Sequence, residues 1–153
     1  MRSSNPVICV LLAVATLTSF ASAADDTLAT KKCKCPVAGT EFTVGDAAAS
    51  TQYKDAKVYF CCPGCMKRFV ADQKKYAAKA NLQLFVTGQA KQVHCPFAGR
   101  DANPDQSVTV DNHKVAFCCG GCKGKAAAAE GDAQLEMLFG EKAFKTGFEV
   151  VKK

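Results

Sequence analysis

The sequence predicts an α+β fold of two small units, each a β-hairpin followed by a helix and each stapled through cysteine thiolates. Three observations predict it. Tyr59-Phe60-Cys61-Cys62-Pro63-Gly64-Cys65 recurs 57 residues later as Ala116-Phe117-Cys118-Cys119-Gly120-Gly121-Cys122. A shorter phrase precedes each copy, Cys35-Pro36-Val37-Ala38-Gly39 and then Cys95-Pro96-Phe97-Ala98-Gly99. Two phrases repeated in the same order mean an internal duplication. The third observation is the cysteine load itself, 10 in 153 residues. A unit of this size buries only a modest core, so it needs a covalent or metal staple.

Taken in order, the chain opens on Arg2, a run dominated by apolar residues from Val7 to Phe20, and the small residues Ala21-Ser22-Ala23. This is the build of a secretory signal, expected to cover 1–23. Cleavage after Ala23 removes Cys9 and leaves nine cysteines, an odd number that argues against complete disulfide pairing. No second apolar stretch approaches membrane-spanning length. The mature chain is therefore expected to be soluble, periplasmic or secreted, with no stable membrane anchor after signal cleavage. The first unit is placed at 31–89 and the second at 90–153.

Residues 24–30 are small, polar or acidic and read as a disordered leader. Cys35 to Gly39 reads as a tight knuckle, because Pro36 restricts one backbone angle and Gly39 permits the turn. Glu41 to Val44 suggests a short strand, followed by a small-residue loop through Ser50, and Lys57 to Phe60 a second strand. A helix is expected to begin at Pro63, where the missing N–H of proline costs nothing. It carries an apolar stripe of Met66, Phe69, Val70, Tyr76 and Ala77 and ends near Asn81. Leu82 to Val86 is left as a strand or a helix tail, and Thr87-Gly88 as a turn. In the second unit, Val108–Val110 and Lys114–Phe117 flank Asp111-Asn112-His113, a hairpin turn with His113 facing solvent. An Ala-rich helix follows Cys122, then a further helical turn or two at Leu135, Leu138 and Phe139. Thr146-Gly147 repeats Thr87-Gly88, so the duplication extends to the C-terminus.

The mature charge is mildly basic and its lysines are scattered. No basic run interleaves with aromatics, so the pattern excludes a nucleic-acid footprint and reads as a solvated surface.

A strand ending in a cysteine, followed by a helix whose first turn holds another, converges two sulfurs on one point. Cys62 and Cys65 stand three apart and Cys61 and Cys65 four apart, spacings that share one side of a helical turn. The helix N-terminus favours negative charge and hence the thiolate that binds metal. The knuckle cysteine supplies a sulfur from a distant loop. One candidate site thus holds Cys35, Cys61, Cys62 and Cys65, and the other Cys95, Cys118, Cys119 and Cys122. Four thiols suit tetrahedral zinc, although adjacent cysteines seldom reach the same ion, and three suit copper(I). Zn2+ or Cu+ is accordingly the expected ligand, with any protein partner unknown. Cys33 is a candidate fourth ligand or a leftover thiol, and His94 a candidate to complete the second site.

The spacing of Cys95, Cys118 and Cys122 resembles the TRASH-type treble-clef metal module. Lys57-Val-Tyr-Phe-Cys-Cys-x-x-Cys, followed by Phe69, Asp72 and Lys75-Tyr76, is similar to the related YHS domain. The resemblance covers nearly all of the mature chain as two tandem copies. It implies treble-clef-like units and heavy-metal binding in sensing, trafficking or resistance, with Cys35, Cys61, Cys65, Cys95, Cys118 and Cys122 as ligands. The sequence departs from the pattern at three points. The first copy is three residues longer between its first two cysteines, no Tyr-His-Ser triplet follows its helix, and Ala126 stands where the second copy would carry Phe.

Two other readings stand beside metal binding. Clustered cysteines in an exported protein are commonly disulfides, giving a stapled interaction protein. Cys62-Pro-Gly-Cys65 and Cys119-Gly-Gly-Cys122 also have the form of a dithiol redox carrier. Catalysis finds little support. The chain holds 2 histidines, neither of them in the first unit, and no Ser-His-Asp or Cys-His constellation is duplicated. The expectation is a binding protein and not an enzyme.

Overall fold

A computed structural model describes residues 27–152. The expected signal, 1–23, lies outside the described residues, as do 24–26 of the expected disordered leader. The rest of that leader is ordered differently from expectation: residues 27–29 form a helical turn, with Leu28 packed into the core.

The fold is mixed α+β, made of two-stranded antiparallel sheets and short helices. In the first half, β1 (Lys32–Lys34) pairs with β2 (Glu41–Thr43) across the first knuckle. Gly39 takes φ +72° there, and its N–H returns to the Cys35 carbonyl at 2.8 Å. A 3-10 turn, Val44–Asp46, leads to the hairpin β3 (Ala49–Tyr53) and β4 (Ala56–Phe60). Strand β3 begins inside the expected loop, at Ala49, and runs on to Tyr53. Lys54 and Asp55 both have positive φ, 51° and 61°, the backbone of a tight two-residue hairpin turn that suits the right-handed strand twist. The alternation needed to recognise β3 is masked by its small and polar composition.

Helix α1 (Pro63–Ala71) starts at the expected proline but stops ten residues short of the expected end. Asp72 leaves helical geometry at φ −147°, and its carboxylate accepts the Lys75 N–H at 3.2 Å. It thereby initiates a 3-10 turn, Lys74–Tyr76, and a separate helix α2 (Ala77–Val86). Leu82 to Val86 is thus helical. Burial on several sides, not strand pairing, explains its near-continuous apolar run.

The second half repeats the knuckle, hairpin and helix start, but among the described residues no strand pairs across its knuckle as β2 does with β1, and it carries one more helix. Strand β5 (Ala90–Gln92) precedes the second knuckle, and β6 (Asn103–Val110) and β7 (His113–Phe117) form the hairpin. Asp111 and Asn112, at φ 49° and 64°, make the same turn as Lys54-Asp55. His113 opens β7, half-buried, with its ring centroid 5.9 Å from that of Phe85 and its Nδ1 2.8 Å from the Asp111 carbonyl. The expected solvent-facing histidine is therefore corrected, because α2 packs over the turn. Helices α3 (Gly120–Ala127), α4 (Gly131–Phe139) and α5 (Glu141–Gly147) follow, and the chain closes on β8 (Phe148–Val150).

Strand β5 follows the Thr87-Gly88 turn and β8 follows Thr146-Gly147, here the end of α5, and the two strands pair with each other. Helix α2 packs on α4, and the buried Asn81 amide donates to the Phe139 carbonyl at 2.7 Å. Phe60, Phe69 and Val58 of the first half and Phe117, Val115 and Phe139 of the second are fully buried in one continuous core. Phe85, Phe139, Phe144 and Phe148 form an aromatic chain with ring centroids 5.1–5.7 Å apart, contacts suited to tilted and offset rings. No helix among the described residues is long and apolar enough to cross a membrane.

Candidate metal centres

Each hairpin delivers its second strand to a cysteine pair at the start of a helix. Phe60 ends β4 and Phe117 ends β7, both fully buried, and these anchors fix where Cys61 and Cys118 emerge. Cys62 and Cys119 are the N-cap residues of α1 and α3, with extended backbone at φ −157° and −160°. The Cys62 sulfur accepts the Cys65 N–H at 3.3 Å, the contact that a serine oxygen ordinarily makes at this position. The next turn of helix brings Cys65 and Cys122 back beneath the strand ends.

The knuckles supply the third sulfur. Each knuckle is closed by the first cysteine's N–H bonding five residues on, Cys35 to the Thr40 carbonyl and Cys95 to that of Arg100, both at 2.8 Å. Cys35, Cys61 and Cys65 then lie with their sulfurs all within 4.8 Å of one another, and so do Cys95, Cys118 and Cys122. Within the triads, Cys61 and Cys65 are 3.9 Å apart and Cys118 and Cys122 3.8 Å. Two sulfurs bound to one tetrahedral zinc at a bond of about 2.3 Å stand about 3.8 Å from each other. Trigonal geometry at that bond length needs about 4.0 Å. The triads can therefore hold a metal ion, and their spacing suits either coordination.

All nine cysteines among the described residues are unpaired. Cys62 and Cys119 sit beside the triads, Cys62 with its sulfur 3.3 Å from that of Cys65 and Cys119 3.9 Å from that of Cys118. Cys33 is buried on β1 opposite Phe42 and lies outside both triads, as does His94. The His94 Nδ1 instead stands 3.6 Å from a carboxylate oxygen of Asp101. Met66 and Phe69, read as core residues, divide: Phe69 is fully buried and Met66 packs at the edge of the core.

The electrostatics repeat as closely as the geometry. Burial pushes the Cys35 thiol up, but the N–H groups of Ala38, Cys61 and Val37 around its sulfur outweigh this and lower it. Cys95 is lowered against burial in the same way, by the N–H groups of Cys118, Phe97 and Ala98. The N–H of Cys65 lowers Cys62, and that of Cys122 lowers Cys119. Cys65 is pushed up to about 12, chiefly by its contact with the Cys62 sulfur and then by desolvation. Cys122 reaches about 12 through desolvation first and its contact with Cys118 second. Each cluster thus sets lowered thiols beside raised ones, and a metal ion held there would displace the protons of the raised thiols.

A pair of glutamines completes the sites. The Gln83 side chain accepts the Tyr59 N–H at 2.8 Å and donates to the carbonyls of Tyr59 and Lys34, each at 2.9 Å. Gln92 accepts the Ala116 N–H at 2.9 Å and donates to the carbonyls of Ala116 and His94 at 2.6 and 3.0 Å. Tyr59 and Ala116 each stand two residues before a cysteine pair, and Lys34 and His94 each stand one before a knuckle cysteine. One amide therefore ties together the two chain segments that must present their sulfurs to a common point. Sequence reasoning missed both glutamines. The one signal for Gln83 is a polar residue inside the apolar run Leu82–Val86, and nothing in the sequence marks Gln92.

No family model, curated protein or solved structure matches this chain.

Proposed function

We propose that this chain is an exported metal-binding protein that carries two zinc or copper(I) ions on thiolates and serves in metal buffering, trafficking or sensing. The observation that carries the proposal is the duplicated three-sulfur cluster, built at two places in the chain by the same knuckle, hairpin and helix start. The Cys61–Cys65 and Cys118–Cys122 sulfur distances of 3.9 and 3.8 Å suit ligands of one ion and far exceed a disulfide bond of about 2.05 Å. The resemblance to tandem YHS and TRASH treble-clef modules points the same way and forms part of this proposal, as does a binding role in place of catalysis. Export rests on the N-terminal signal pattern.

Elemental analysis of mature protein purified from its native compartment without added metal tests the proposal, alongside a free-thiol count. The expected result is two ions per chain, one lost on Cys61→Ser and the other on Cys118→Ser. A metal-free protein with most thiols oxidised would overturn it in favour of a disulfide-stapled scaffold. A metal-free protein with a reversible dithiol potential would instead support a redox carrier.

A further inference from the structure

The geometry points to Cys62 and Cys119 as exchange ligands, the thiols through which an ion passes between each triad and an external thiol carrier. The inference rests on the metal-binding proposal and assigns these two residues a role distinct from the triads.

Four observations lead to it. Both cysteines abut a triad without belonging to it. The Cys62 sulfur is 3.3 Å from that of Cys65, and the Cys119 sulfur is 3.9 Å from that of Cys118. The clusters are also graded from inside to outside. Cys35 and Cys95 are 1% and 0% exposed, whereas Cys62 is half-buried and Cys119 exposed. Both outer cysteines are helix N-caps, and the Cys62 sulfur accepts the Cys65 N–H at 3.3 Å. Finally, both copies put glycine directly before the third cysteine. A Cβ on Gly64 would stand 3.7 Å from the Cys62 sulfur, and one on Gly121 3.9 Å from that of Cys119. The missing side chains leave the outer sulfurs uncovered and allow another backbone to approach closely.

The step is a ligand exchange in which no electron changes hands. The outer thiolate forms a bond to the ion as the bond to its neighbouring triad sulfur breaks. An incoming carrier thiol then bonds to the ion, and its proton passes to the sulfur released. Because the outer sulfur is already within contact distance, the ion never loses a ligand before gaining one. A three-sulfur site without such a neighbour would release its ion more slowly.

The test loads the full mature chain with zinc(II), or with copper(I) if zinc is not taken up, under reducing conditions. Transfer to an excess of a chelating dye is then followed in time. Cys62→Ser and Cys119→Ser are expected to keep two ions per chain, while one kinetic phase of release slows by about tenfold in each variant. Serine retains an N-cap oxygen, so α1 and α3 persist, which far-UV circular dichroism verifies. Gly64→Ala keeps every sulfur and is expected to slow the first site by about threefold by covering Cys62. Loss of an ion in Cys62→Ser or Cys119→Ser would make that residue a primary ligand and overturn the inference. Unchanged release in the serine variants would overturn it as well, with the metal-binding proposal intact. A wild-type chain that takes up neither metal would overturn both.

Discussion

Replacing Gln83 by leucine removes the clamp between β4, β1 and α2 while keeping the side chain's approximate volume. The amide is 1% exposed and makes three hydrogen bonds of 2.8–2.9 Å. Each such bond contributes about 1 kcal/mol net, and water does not readily replace it at a buried position. The loss of unfolding free energy is therefore about 3 kcal/mol, a large share of the roughly 5–15 kcal/mol that holds an ordinary domain together. Gln89 provides the matched control. Its side chain bonds the Lys57 N–H and carbonyl at 2.9 and 2.8 Å in an exposed setting where water takes over, and donates to the Thr87 hydroxyl at 3.0 Å. Gln89→Leu should therefore change stability by less than about 1 kcal/mol. Urea unfolding of the reduced, metal-free proteins compares the two. The first metal site should also weaken in Gln83→Leu while the second keeps its affinity, because only Lys34 and Tyr59 lose their tether. A Gln83→Leu protein within about 0.5 kcal/mol of wild type, or no less stable than Gln89→Leu, would refute the clamp.

Other perturbations probe separate contacts. A Cβ at Gly147 would stand 2.8 Å from the Pro96 Cα and 3.0 Å from the His94 carbonyl oxygen, so Gly147→Ala must displace the second knuckle. It should cost about 1–3 kcal/mol in urea unfolding and weaken the second metal site selectively, as read by titration of each ion. Glu141 accepts from Tyr53 at 2.8 Å and Lys54 at 2.9 Å; its burial works against ionisation, but these contacts prevail and lower its pKa. A lowered carboxylate contributes stability above its unfolded pKa and loses it as pH falls through the folded one. Glu141→Gln should accordingly flatten the acid side of the stability profile without changing metal content. Cys61 and Cys65 are both raised, Cys61 chiefly by desolvation and Cys65 to about 12 chiefly by Cys62, so near neutral pH the ion-free first site holds protons that metal must displace. Its affinity should rise with pH and binding should release protons, measurable by calorimetry in buffers of different ionisation enthalpy; a pH-independent affinity would exclude thiolate ligation.

The cysteine chemistry is local, and that is why the sequence alone determined so much of it. Cys61 and Cys65 meet because only the extended N-cap Cys62 separates the strand end from the first turn of α1, Pro63 marks where that turn starts, and Cys35-to-Gly39 closes on itself through its own backbone. The hairpin turn at Asp111-Asn112 is local in the same sense, and the duplication let each copy support the reading of the other. Tertiary structure decided the rest. Whether Leu82–Val86 is helix or strand depends on what surrounds it, since a run buried on several sides has no periodicity to read. β3 escapes because Ala, Ser, Thr and Gln form a strand only with β4 beside them. Gln83 and Gln92 each take their meaning from backbone carbonyls at least 24 residues away, Lys34 and Tyr59 for Gln83 and Ala116 for Gln92, and β5 finds β8 across the whole second half. An amide side chain has the same composition whether it is solvated or bridging two buried strands. Only the packing that excludes water from it makes it structural.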